Sequence, residues 1–135
     1  MKIENFSFHD NAIHSIEFVD ENYDTDLVLD IDYISEWVNN DGQISFNLSP
    51  AYLIFQGVSD LTINIDKPSL TQHSYLETIL DIEVSPAKQS NSRFVITLLS
   101  KNHIKFTASG CKLDISNIKL NKKVQHLTKH ERKRD

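Results

Sequence analysis

The side chains able to do chemistry are few and lie far apart along the chain. Phe8-His9-Asp10 places an imidazole beside a carboxylate, a pair that can ligate a metal ion or pass a proton where further ligands converge. Neighbouring residues on an extended chain point to opposite sides, so His9 and Asp10 cooperate only if the backbone turns between them. Without such partners, Asp10 simply caps the amides of a local turn. His14 stands in register with Ala12, Ile16 and Phe18, which makes it either a third member of that centre or a hydrogen-bonded histidine at the core's rim. His9, Asp10 and His14 are therefore the catalytic candidates, for a metal-assisted hydrolase or a small-ligand site.

A second group is acidic. Asp26, Asp30 and Asp32 share one face of a strand, with Asp24 and Glu36 close by in sequence. Hard cations favour oxygen clusters, but no calcium-loop spacing is present, and acids on the wet face of a half-buried strand serve solubility and discourage edge-to-edge association. These five residues are read as a binding surface rather than a metal site. His126 and His130, four apart, would share a helix face. No Glu lies between them, and Lys122, Lys123, Lys129, Arg132, Lys133 and Arg134 surround them with positive charge that repels metal ions.

Several chemistries are excluded. The three glycines, Gly42, Gly57 and Gly110, are too dispersed to form a phosphate-cradling loop or a nucleophile elbow. The single cysteine, Cys111, provides neither a disulfide nor a thiolate zinc site. No cofactor is expected.

Charge is unevenly distributed. Residues 1–117 carry 17 acidic against 7 basic side chains, net −10, and residues 118–135 carry 7 basic against 2 acidic, net +5. The boundary divides an acidic β domain, 1–117, from a basic C-terminal tail, 118–135. The tail lacks the aromatics that stack bases, and the acidic body repels polyanions, so nucleic acid is not the expected partner and its binding by the basic tail is the weaker alternative function. Docking of the tail on its own body, or on a second copy, satisfies the same charges.

The elements that must position these groups are strands. Period-two alternation recurs through Leu27–Tyr33, Leu61–Ile65, Leu80–Val84, Phe94–Leu98, Ile104–Ala108 and Cys111–Ile115, with weaker stretches at Ala12–Val19, Ile44–Leu48 and Tyr52–Val58. Asp41-Gly42 and Lys101-Asn102 suit tight hairpins, and connections this short exclude the crossover helices of a parallel sheet. The expectation is a mainly β fold, an antiparallel sandwich or half-open barrel with a short C-terminal helix. That helix would span Asn121 to about Arg132, where Leu120, Val124 and Leu127 form an i, i+4, i+7 stripe. Ile34–Val38 reads as a possible helical turn, with Trp37 a core or edge aromatic.

The string Leu29-Asp30-Ile31-Asp32-Tyr33-Ile34-Ser35-Glu36-Trp37, with Phe8-His9-Asp10 before it and Pro50-Ala51-Tyr52-Leu53-Ile54-Phe55 after it, resembles a family of short, uncharacterised bacterial proteins over the N-terminal half. The resemblance implies no activity and no functional residue. In size and acidity the chain is also similar to immunity proteins encoded beside polymorphic toxins.

Taken together, the residues point to a cytoplasmic protein-binding or immunity-like module. Its acidic surface, Asp24, Asp26, Asp30, Asp32 and Glu36, would steer a basic protein partner into association. Self-association as a two-fold dimer is the other expected partnership. No membrane-spanning run of apolar residues is present.

Overall fold

The alternating stretches fold as nine antiparallel strands: β1 (Ala12–Glu21), β2 (Asp24–Asn40), β3 (Gln43–Gln56), β4 (Ser59–Ile63), β5 (Glu77–Pro86), β6 (Ser92–Leu98), β7 (His103–Ala108), β8 (Gly110–Ile115) and β9 (Leu120–Lys122). The structure, a computed structural model, describes residues 1–65 and 75–133. Asp66, where the alternation of β4 ends, and Arg134, counted with the tail's bases, lie outside the described residues. The strands form one sheet in the order β4-β7-β6-β5-β1-β2-β3-β8, with β9 on β3. Among the described residues β4 and β8 end the order without pairing with each other, so the sheet is open.

Inward positions follow the alternation. Leu27, Leu29 and Ile31 of β2, Leu53 and Phe55 of β3, Ile96 and Leu98 of β6, and Ile104 and Phe106 of β7 are fully buried in one core. The Phe55 ring meets Phe94 at 5.0 Å and Phe106 at 4.6 Å, both edge-on. The sheet thus folds back until β3 packs on β6 and β7. Its seam is narrow, since β1 and β5 pair only through Ala12↔Thr78 and Ile13↔Glu77. The N-terminal segment crosses the core there, with Ile3 and Phe8 buried in it and the Phe8 ring tilted against Tyr33 at 5.8 Å.

Three expectations are corrected. Ile34–Val38 is strand, part of β2; a bulge between Ile34 and Glu36 interrupts the alternation and mimics a helical spacing. Trp37 packs edge-on against Phe46, half-exposed. Ile44–Leu48 and the part of Tyr52–Val58 up to Gln56 belong to a single β3 that runs through Pro50, while Gly57 and Val58 lie outside it. This is possible because Pro50 sits at the seam between the β9 and β8 ladders, where its carbonyl accepts from the Ser116 amide at 2.9 Å and its missing N–H interrupts neither ladder. The C-terminal helix is absent among the described residues. Leu120–Lys122 instead pairs with Phe46–Leu48, and the chain then crosses the outer face of β2 as a strap. A free helix of this length is marginal in water, whereas the strap gains a ladder and a buried Leu127 packed on Ile34, Phe46 and Leu48. No helix among the described residues is long and apolar enough to cross a membrane.

Candidate functional site

The strap ends on the acidic face. Arg132 directs one guanidinium nitrogen at Asp32 Oδ1 and the other at Asp30 Oδ1, and also donates to the Ile31 carbonyl at 3.3 Å. Asp32 is fully buried. Its other oxygen accepts from His14 Nε2 at 2.6 Å and from the Leu127 amide at 2.7 Å. A buried carboxylate is tolerated when charge and hydrogen bonds compensate its lost hydration, and here three donors from two segments, β1 and the strap, do so. β1 supplies His14 through the bulge between Ile13 and Ser15, which turns the imidazole onto the outer face beside Asp32.

The strap is itself braced. Thr128 and Glu131 exchange hydrogen bonds, amide to carboxylate at 2.9 Å and amide to hydroxyl at 3.2 Å, the reciprocal arrangement of a capping box. Lys122 donates to Glu131 at 2.6 Å and, with the Thr128 amide, draws the Glu131 carboxyl down to about 2. Gln125 donates to Asp10 at 3.2 Å, and the His126 ring lies 4.9 Å from Tyr75.

The catalytic candidates are separated. The backbone does turn at Asp10, where φ is +68°, bringing His9 Nε2 to 3.5 Å from Asp10 Oδ1. However, His9 Nδ1 donates to the Leu80 carbonyl at 2.7 Å, which ties the ring to β5, and Asp10 in turn accepts from Gln125 of the strap. His14 belongs to the Asp32 cluster instead. Among the described residues, no three His, Cys, Asp or Glu side chains gather to hold a metal ion. Burial pushes the Cys111 thiol up, away from the reactive thiolate.

The acidic candidates divide in two. Asp30 and Asp32 lie under Arg132. Glu36 is exposed and accepts from Asn47 at 2.8 Å, while Asp24 is exposed and Asp26 half-buried, accepting from the Gly57 amide at 3.2 Å. Asp24 and Asp26 line an open, polar hollow of about 340 Å³ with Asn22, Gln56 and Ser109. They lie on the β1–β2 hairpin, whose two-residue loop is Asn22-Tyr23, both with positive φ (+49° and +73°). Tyr23 at its tip is fully exposed, and Phe18 and Val19 beside it are about half-exposed. Exposed Glu17 and Asp20 add two further acids to the same hairpin, on opposite faces of β1.

Sequence reasoning missed the partners of Asp32. The signals available were the Thr128-Lys129-His130-Glu131 capping-box spacing and an arginine directly after it. It also missed the hairpin tip, which carries no Gly to announce a positive-φ turn. A groove of about 500 Å³ between the N-terminal segment and β5, with His9 at one end, was likewise not foreseen. Compared with known proteins, the chain matches no family model, no curated protein and no solved structure.

Proposed function

We propose that this chain is a cytoplasmic protein-binding module of the immunity-like kind, which recognises a basic protein partner through the β1–β2 hairpin. The observation that carries this reading is the hairpin's composition. Tyr23, Phe18 and Val19 stand exposed among Glu17, Asp20, Asp24 and Asp26. Aromatic anchors within a charged rim are the usual make-up of a protein interface's energetic centre, and the acids would accelerate encounter with a positive surface. Relative to the five acids first singled out, the binding face shifts towards Asp24 and Asp26, because Arg132 already occupies Asp30 and Asp32. The strap covers Asp30 and Asp32 from within and leaves the acids of the hairpin open to a partner.

The test is capture from the native cell's lysate by tagged chain at low and high salt, run in parallel with an Asp24→Lys/Asp26→Lys variant and a Tyr23→Ala variant. The expected result is a basic protein recovered at low salt, reduced at high salt, and lost with either variant. Equal recovery by all three chains would refute the hairpin as the binding face.

A further inference from the structure

The sheet splits where β1 and β5 part. Beyond Ile79, whose amide and carbonyl bond the Asn11 carbonyl and the Asp10 amide, β5 pairs among the described residues only with β6, and its other edge runs unpaired from Asp81 to Pro86. Antiparallel ladders alternate. The Ala87 amide bonds the Asn91 carbonyl at 2.9 Å at the hairpin end, and counting back from it puts the N–H and C=O of Ile82 and Val84 on the open side. The Leu80 carbonyl faces the same way and is taken by His9. Opposite this edge lies the N-terminal segment, and the groove of about 500 Å³ runs between them, within the range of sites that hold peptide-sized ligands.

The walls of the groove alternate in character. Ile82 and Val84 are partly buried against the core, beside Phe6 and Phe8, which forms an apolar floor. Asp81 and Glu83 point the other way on β5 and are exposed, and Glu4 faces them across the opening. Among the described residues the lining holds three carboxylates and no Lys or Arg. We infer that this groove receives an extended segment of a protein partner as an added strand, with apolar side chains on the floor alternating with Lys or Arg at the rim.

The inference rests on the protein-binding reading above and names the element of the partner that is bound. Strand addition supplies affinity through backbone hydrogen bonds and specificity through alternate side chains. A second copy of this chain fits the edge poorly. Either two-fold register that engages Ile82 sets Glu83 opposite itself or opposite Asp81, and like charges directly across a ladder oppose pairing.

The probe is an acetylated, amidated heptapeptide of alternating Lys and Val, titrated into the full chain and followed by amide resonances and hydrogen exchange. The expected result is saturable binding with slowed exchange at the Ile82 and Val84 amides. An Asp81→Lys/Glu83→Lys variant, altered only at exposed positions, should bind at least about tenfold more weakly, and an alternating Glu and Val peptide should not bind. Binding that protects other amides, or that survives charge reversal, overturns the proposal. So does a concentration-dependent dimer with Ile82 and Val84 already protected. The hairpin variants report separately. If partner capture depends on Asp24 and Asp26 while the β5 edge stays silent to the peptide, the binding function stands and the groove inference falls. A β5 edge that binds while capture ignores the hairpin gives the reverse.

Discussion

Replacing Arg132 with Leu should destabilise the protein by about 3 kcal/mol, the lower end of the roughly 3–5 kcal/mol lost when one partner of a buried ion pair is removed. The lower end applies because Asp32 keeps two donors, His14 Nε2 at 2.6 Å and the Leu127 amide at 2.7 Å. With a urea slope of about 2 kcal/mol/M for a chain of this size, the unfolding midpoint should fall by about 1.5 M. Asp32→Asn should also destabilise, since it leaves the Arg132 guanidinium buried with only Asp30 to balance it. The two changes touch one interaction, so the double variant should cost less than their sum by about 1–3 kcal/mol. Hydrogen exchange separates the mechanisms: if the strap releases before the sheet unfolds, the Leu127 amide should lose protection in Arg132→Leu while the Leu29 and Leu53 amides keep theirs. A midpoint shift below about 0.3 M, which is what a solvent-exposed pair worth about 0.5 kcal/mol would give, would refute the account of Asp32 as a buried charge held by the strap.

Leu127→Ala should cost about 3 kcal/mol in urea unfolding, because its side chain is fully buried between Ile34, Phe46 and Leu48 and strap contacts cannot close the cavity. The Glu131 carboxyl is lowered in the folded protein to about 2, so its contribution is present above its ordinary range near 4.5 and is lost as pH falls from about 5 towards 2. Partial exposure holds that contribution to about 1 kcal/mol, and acid titration of Glu131→Gln should show a correspondingly shallower loss of stability. Tyr23→Gly should raise stability by about 1 kcal/mol by relieving a left-handed backbone at a bulky residue, measured as a higher urea midpoint, while partner capture falls. Gly42→Val, at φ +86° in the Asp41-Gly42 turn, should destabilise by about 1 kcal/mol, detectable in the same assay.

The strands were legible wherever one face met the core and the other met water, as at Leu27-Val28-Leu29-Asp30-Ile31. They were misread where that contrast failed. At Ile34–Val38 a bulge shifts the phase, and Ile34 turns to a second small core on the outer face that exists only because the strap covers it. Pro50 divided β3 in the sequence because nothing local says that two different strands, β9 and β8, meet the same edge on either side of it. Leu120 and Leu127, seven apart, fit a helix stripe as well as they fit a strap that touches the same cluster at two points. Asp30 and Asp32 alternate like any solvent-facing acid, and the group that buries them lies a hundred residues further on. Periodicity reports which face a residue takes, and long-range docking decides whether that face is wet.

The same distinction separates the two acidic regions by what stability alone would select. Around Asp32 every feature serves folding: the carboxylate is fully bonded, the arginine and histidine are consumed by it, and the bulge at His14 puts the ring where it is needed. The hairpin tip does the opposite. Tyr23 adopts a backbone conformation that Gly would take without strain, yet its ring contacts solvent rather than the core, and Phe18 continues the inward face of β1 past the point where the core ends. Burial of either side chain would contribute roughly 1.5–3 kcal/mol, and the fold forgoes it. Strained backbone and unburied aromatic surface persist together where something other than folding selects them, which is why the hairpin, rather than the fully bonded charge cluster under the strap, carries the functional reading.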